Sequence, residues 1–383
     1  MADKKIMIVA GEASGDMHGA NLIKAMRNVA PDLDVTGMGG AALVSQGMKS
    51  LYDASRVSVV GLFEVFNHLA DIREALRILE NWMVQEKPAL LILIDFPDFN
   101  MMLAKRAKAA GIPVFYYISP QVWAWRSGRV RKIKRLVDRL AVILPFEKKF
   151  YQEWGMDVDF VGHPLLDTVK PEKNRRELLA SLNIDPENPG HVVGLLPGSR
   201  RKEVQAMLPL FLEGARLLEK EIGKTTFLIP AAEALEDSVF AQCGLSDCGL
   251  DIRISRDDRY GLMSACDAVL AASGTVTLEL AILKVPMVVS YRVSPISYFL
   301  GRKLIKVEFA SLVNLVAGRK VVPELLQHDA VPEKICSELL ATICDQELRA
   351  EMLAGLEKVV ADLGGPGASH RAAEIAFETA GFK

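Results

Sequence analysis

Residues 265–292, ACDAVLAASGTVTLELAILKVPMVVSYR, decide how this chain is to be read. Residues 267–272 are a short apolar run that predicts a buried strand, and residues 276–283 carry apolar side chains at helical spacing. Residues 286–291 are a second apolar run, valine-rich and too short for a helix. Strand, short helix and strand make a crossover between two parallel strands, so the stretch predicts a parallel sheet covered by helices. Between strand and helix stand Ser273, Gly274 and Thr275. They bring two hydroxyls and a bare backbone to a helix start, whose first amides lack internal partners and favour phosphate. Glu279, further along that helix, is spaced to accept hydrogen bonds from sugar hydroxyls. The group suits a nucleotide diphosphate. Ser and Thr are equally the ordinary caps of helices, and these residues alone leave both readings open.

The rest of the composition narrows the class. The 383 residues are enough for two domains; half are hydrophobic, a quarter are charged, and the net charge is −2. That balance describes a packed globular protein and excludes a globally basic binder of nucleic acid. The opening apolar run, residues 6–10, is too short for a secretory signal, and no run approaches the length of a membrane span. Five cysteines, an odd number, fit a reducing compartment, so a cytoplasmic protein is expected. Cys243 and Cys248 have no second pair of ligands beside them, and no metal is expected there.

Taken in order, the chain opens as strand, glycine turn and helix, with Gly11, Glu12, Ser14, Gly15 and Asp16 in the turn. The turn lacks a P-loop ending and dinucleotide-type glycine spacing, and no acid ends the next strand to hold an adenosine ribose. It reads either as one wall of a ligand crevice or as a turn that is merely tight. Leu62, Val65, Leu69, Ile72, Leu76, Leu79 and Met83 form one helical stripe, with Phe63 and Phe66 on a second face. LLILI at 90–94 predicts a buried strand that delivers Asp95 and Asp98 to its carboxyl end, where ligands bind in open α/β sheets. Asp98 also suits a cap for a helix at 100–110, which leaves Asp95 as the candidate base. The pair is not the Asp-x-Asp of a metal-dependent sugar-transfer site. After a strand at 114–118, Trp123 and Trp125 make an apolar wall in a loop. The following helix sets Arg129, Arg131, Lys132, Lys134 and Arg135 on one face with no acids between, which suits either solvent or an anionic partner. Residues 170–191 read as a polar linker, and 192–196 start a second doubly wound unit whose turn carries Ser199 and Arg200. Gly364 and Gly367 bracket a break before a last amphipathic helix, 369–380.

Several of these pieces together carry a family resemblance: VAGEASGD at 9–16, IDFPDFN at 94–100, SPQVWAWR at 119–126, LPFE at 144–147, VGHP at 161–164, LPGSR at 196–200, ASGT at 272–275 and SLVNLVAGRKVVPELLQ at 311–327. In this order they resemble the lipid-A-disaccharide synthases, inverting glycosyltransferases of the GT-B class. Val313 stands where the family pattern has a proline. The resemblance implies an α/β protein of two Rossmann-like domains facing a cleft. Residues 1–168 would form the acceptor and lipid side, 169–190 the linker, 191–363 the UDP-sugar domain, and 364–383 a helix returning to the first domain. It implies a UDP-2,3-diacylglucosamine donor, a 2,3-diacylglucosamine 1-phosphate acceptor, a β-1,6 disaccharide product and no cofactor. It assigns Asp95 a catalytic role, Arg200 and Asn314 essential polar roles, and Glu279 a place at the ribose, while the reading of the strand end keeps Asp98 as the alternative catalytic acid. The turns carrying Gly11, Glu12, Ser14, Gly15, Asp16, Ser199, Ser273, Gly274 and Thr275 then bind substrate. Phe63, Phe66, Leu69, Trp123, Trp125, Arg129 and Arg131 would meet the cytoplasmic face of an anionic inner membrane. A homodimer is left open. Two other readings on the same fold are a UDP-N-acetylglucosamine epimerase and a non-catalytic nucleotide-sugar binder.

Overall fold

The computed structural model describes residues 4–57, 69–125, 127–292 and 308–382. The chain forms two compact units, Met1–Pro164 with Gly364–Lys383, and Leu165–Leu363. Phe63 and Phe66 lie outside the described residues.

The first unit holds the strands β1 (Lys5–Ala10), β2 (Asp34–Gly39), β3 (Lys49–Asp53), β4 (Leu90–Ile94), β5 (Val114–Tyr117), β6 (Arg139–Val142) and β7 (Asp159–Phe160). Among the described residues they make one sheet in the order β3-β2-β1-β4-β5-β6-β7, every pair parallel. All five residues of β4 are buried, as a central strand covered on both faces requires. One face packs on Leu76, Leu79 and Met83 of the helix Leu69–Glu86 and on Phe99 and Leu103 of the helix Pro97–Ala109. The other face packs on Leu22, Ile23 and Met26 of the helix Ala13–Val29 and on Ala372, Ala373 and Ala376 of the C-terminal helix Ala368–Ala380. The small side chains of that last helix let it lie close to the sheet. The Arg371 guanidinium ties its start to the Val161 carbonyl at 2.8 Å.

The second unit holds β8 (His191–Leu196), β9 (Thr225–Pro230), β10 (Asp251–Ser255), β11 (Ala268–Ala271), β12 (Met287–Tyr291) and β13 (Glu324–Leu326). Their order is β10-β9-β8-β11-β12-β13, again parallel. The decisive stretch folds as read, with β11, a helix at Val276–Ile282 and β12.

Two expectations change. Leu69, assigned to the core stripe, is 38% exposed, and burial on its helix begins at Ala75. Within residues 170–191, read as linker, lies a helix, Arg175–Ser181, that buries Leu178 and Leu179 in the second unit. Its start is fixed by a reciprocal cap, Asn174 accepting from the Glu177 amide and Glu177 from the Asn174 amide. That N-x-x-E signal is short and was masked by the polar composition around it.

Candidate active site

Each sheet reverses its strand order once, and crossovers that depart in opposite directions leave a crevice beyond the carboxyl ends of the two strands involved. In the first unit those strands are β1 and β4. Ala10 pairs with Ile94, so the turns carrying Gly11-Glu12 and Asp95-Phe96 begin side by side. Asp95 and Phe96 both adopt left-handed backbone, with φ of 46° and 47°. Neither is a glycine, and such residues cost about 1–3 kcal/mol each unless their surroundings hold them. Here Nδ2 of the fully buried Asn100 donates to the carbonyls of Ile94 at 3.2 Å and Asp95 at 2.6 Å. The Tyr116 hydroxyl donates to the Asp95 carbonyl as well, at 2.5 Å. The Phe96 ring stacks on Phe99, with centroids 5.2 Å apart, and lies over Gly11. A Cβ at position 11 would come within 2.3 Å of that ring, so only glycine leaves it room. Burial, and then the neighbouring charge of Glu12, push the Asp95 carboxyl up to about 6. A carboxylate tuned towards neutrality at a strained strand end is equipped to take a proton.

In the second unit the reversal falls between β8 and β11. Leu196 pairs with Ala271, which starts the turns 197–200 and 272–275 side by side in the same way. The first turn leads into the long helix Arg201–Ile222. Glu203 Oε2 accepts from the amides of Ser199 and Arg200, each at 3.2 Å, and Oε1 meets Arg200 Nη1 at 3.2 Å. An oxyanion of the chain itself therefore sits on the donors of this helix start, which are of the kind that binds phosphate. Gly198 has φ of 121°, and a Cβ there would fall 2.6 Å from Glu203, so a side chain at 198 would dislodge this contact. Across from it, a Cβ built on Gly274 meets nothing within 4 Å, which leaves open space over the turn. The Ser273 hydroxyl donates to the Ala310 carbonyl at 2.7 Å. Glu279 is buried and paired with Arg259 at 2.6 Å. Burial raises its carboxyl, against the pull of Arg259 and the Tyr260 hydroxyl.

A family model described as lipid-A-disaccharide synthetase matches residues 6–378. The chain belongs to the lipid-A-disaccharide synthase family. The lipid-A-disaccharide synthase of Geobacter metallireducens is 47% identical over 381 residues, covering 100% of this chain and 98% of that one. The enzyme of the same name from Nitrosococcus oceani is 45% identical over 370 residues, 97% of this chain and 95% of that one. Among solved structures, a complex of S. aureus MnaA with UDP aligns with a TM-score of 0.66 at 15% identity, over 98% of this chain and 96% of that one. At that identity the likeness concerns the fold alone. It is the two-unit architecture that GT-B glycosyltransferases share with UDP-sugar epimerases, so fold does not separate those two readings and the family does. As a lipid-A-disaccharide synthase family member the chain is a glycosyltransferase of lipid A biosynthesis. No helix among the described residues is long and apolar enough to cross a membrane.

Within this family member the structure shows which partners several of the candidate residues take. Asn314 is fully buried: Nδ2 donates to Glu324 at 2.8 Å and to the Val322 carbonyl at 2.9 Å, while Oδ1 accepts from the amides of Val321 at 2.7 Å and Val322 at 3.0 Å. In this structure its amide is spent on the chain. Glu324 completes that net by accepting from the amides of Ala310 and Ser311 and from the Ser311 hydroxyl. Because Ala310 in turn takes the Ser273 hydroxyl, Asn314 braces the turn through two intermediaries. Asp16, read as substrate-binding, is buried and accepts from the amides of Gly40, Ala42 and Leu43, holding the second glycine turn. Asp98 lies in the first turn of its helix, which starts at Pro97 and is capped at Phe96; it pairs with Arg129 at 2.5 Å. Trp123, read as a lipid wall, is buried, with Nε1 donating to Glu147 at 3.2 Å and its ring edge-on to Phe146. Only Trp125 of the pair is exposed. Glu12 and Ser14 are exposed at the start of their helix. Arg131 lies over the Trp154 ring. Glu203, Asn100 and Arg259 had no role in the sequence reading. Glu203 was legible as the acid three residues into a helix after a glycine turn; Arg259 gave no signal, since it meets Glu279 only through the fold.

Proposed function

We propose that the protein joins UDP-2,3-diacylglucosamine to 2,3-diacylglucosamine 1-phosphate in one inverting displacement. Asp95 removes the proton of the acceptor 6-hydroxyl as that oxygen bonds to the anomeric carbon. The bond from that carbon to the UDP oxygen breaks, and the diphosphate leaves with the electron pair. Charge developing on it is met by Arg200 and by the turn carrying Ser273, Gly274 and Thr275, the kind of preorganised stabilisation that contributes most in such steps. Glu279, held by Arg259, is assigned to the ribose of UDP. The observation that carries the reading is the Asp95 carboxyl, held on strained backbone and tuned to about 6, in a chain of this family.

The first unit is also assigned the task of reaching lipid. Phe63, Phe66, Leu69, exposed Trp125 and the basic side chain Arg131 are its candidate contacts with an anionic inner-membrane surface on the cytoplasmic side. Purified protein mixed with both substrates in detergent should release UDP and form a disaccharide monophosphate, seen by mass spectrometry. Conversion of UDP-N-acetylglucosamine to its epimer, or UDP binding without turnover, would replace this reading by one of its two rivals.

A further inference from the structure

We infer that a small cavity in the first unit, walled in part by the residues that follow the candidate base in the chain, holds the phosphomonoester of the acceptor sugar. The inference rests on the acceptor assigned above. The cavity measures about 90 Å³ and is lined by Asp98, Arg129 and Lys132 over a floor that includes Met101, Val122 and Ile133. That is room for several waters or for one small oxyanion. Its walls come from the residues that follow β4 and β5, so it opens at the end of the sheet where α/β proteins place ligands. Asp98 follows Asp95 by three residues. On the acceptor the carbons that carry the reacting 6-hydroxymethyl group and the 1-phosphate flank the ring oxygen, so base and phosphate site must lie within the span of one sugar.

The electrostatics point to an anion of higher charge than the one now present. Arg129 Nη2 meets Asp98 Oδ1 at 2.5 Å, which shows that this guanidinium is already turned toward an oxyanion in the cavity wall. The Asp98 side chain is three-quarters exposed, and exposed ion pairs hold weakly against a competing anion. A phosphomonoester offers three oxygens and nearly two charges, matching a guanidinium fork with an ammonium beside it. The apolar floor keeps water from one side of the site and gives the sugar a face to lie on.

Initial rates of UDP release in detergent test this, using the acceptor with its 1-phosphate and the same acceptor with a free anomeric hydroxyl. With the phosphorylated acceptor, Arg129→Ala should raise KM about ten- to a hundredfold, and the double variant with Lys132→Ala further, while kcat and the donor KM stay near wild type. With the unphosphorylated acceptor the variants and wild type should behave alike. Asp98→Asn supplies a second measurement: inorganic phosphate, competing with the acceptor, should inhibit that variant severalfold more tightly than wild type. Equal losses on both acceptors would overturn the inference, because a misfolded or generally weakened enzyme behaves that way. Losses confined to vesicle-borne substrate would overturn it too, and would give Arg129 and Lys132 to the membrane surface instead. If the assigned reaction itself is mistaken, wild type will release UDP with neither acceptor, a result distinct from both.

Discussion

Glu12 and Asp95 leave neighbouring parallel strands whose last residues, Ala10 and Ile94, are in register, and the charge of Glu12 adds to burial in raising the Asp95 carboxyl to about 6. A base must be ionised to act. The kcat/KM of the wild type should therefore rise with pH through about 6 and level off above it. Glu12→Gln removes the like charge, lowers the Asp95 pKa and should move the acid limb of the profile to lower pH. An unmoved limb would assign the whole shift to burial.

Asp95→Asn keeps the size of the side chain and removes its basicity. Turnover should fall by about 10²–10⁴, the usual worth of a positioned general base. UDP affinity, measured by calorimetry, should barely change. Retention of a tenth of the wild-type kcat would remove Asp95 from the role of base.

Arg200 is three-fifths exposed and pairs with Glu203 in its own helix turn, so it can exchange that partner for a diphosphate at little cost. Arg200→Ala should weaken UDP about ten- to a hundredfold, the range for a lost charge-assisted hydrogen bond. Glu203→Gln should act in the opposite sense and tighten UDP, because the internal carboxylate no longer competes for the same amides and guanidinium. Tighter UDP in the first variant, or looser UDP in the second, would show that the turn after β8 does not face the diphosphate.

Asn314→Ala tests positioning against contact with substrate. It strips partners from the Val321 and Val322 amides, and each buried group left unsatisfied costs about 1–3 kcal/mol. At about 2–4 °C per kcal/mol for a unit of this size, the melting temperature should drop by several degrees. Loss of activity at an unchanged melting temperature would mean instead that the Asn314 side chain meets substrate.

The lipid face rests on the sequence. Burying one phenylalanine is worth about 1.5–3 kcal/mol, and a basic residue at an anionic surface about 1 kcal/mol. The Phe63→Ser, Phe66→Ser double variant should move from the membrane pellet to the soluble fraction, keep its melting temperature and still turn over detergent-dispersed substrate. A large fall in melting temperature would place those rings in the core.

The sequence by itself determined the parallel α/β architecture, the two doubly wound units and the strand-end position of Asp95, because each follows from apolar runs and turns that are local in the chain. β4 reads as LLILI and is buried throughout, and β11 and β12 end within one residue of their expected limits. Tertiary structure alone decided what the polar side chains do. Asp16 finds its amides 24 to 27 residues away, Trp123 its carboxylate 24 away, and Glu279 its arginine 20 away. A buried polar group takes whichever partner the packing brings within reach, since leaving it unpaired costs more than almost any local preference supplies. The same physics put the Asn314 amide onto the chain's own backbone and set Asp98 against Arg129.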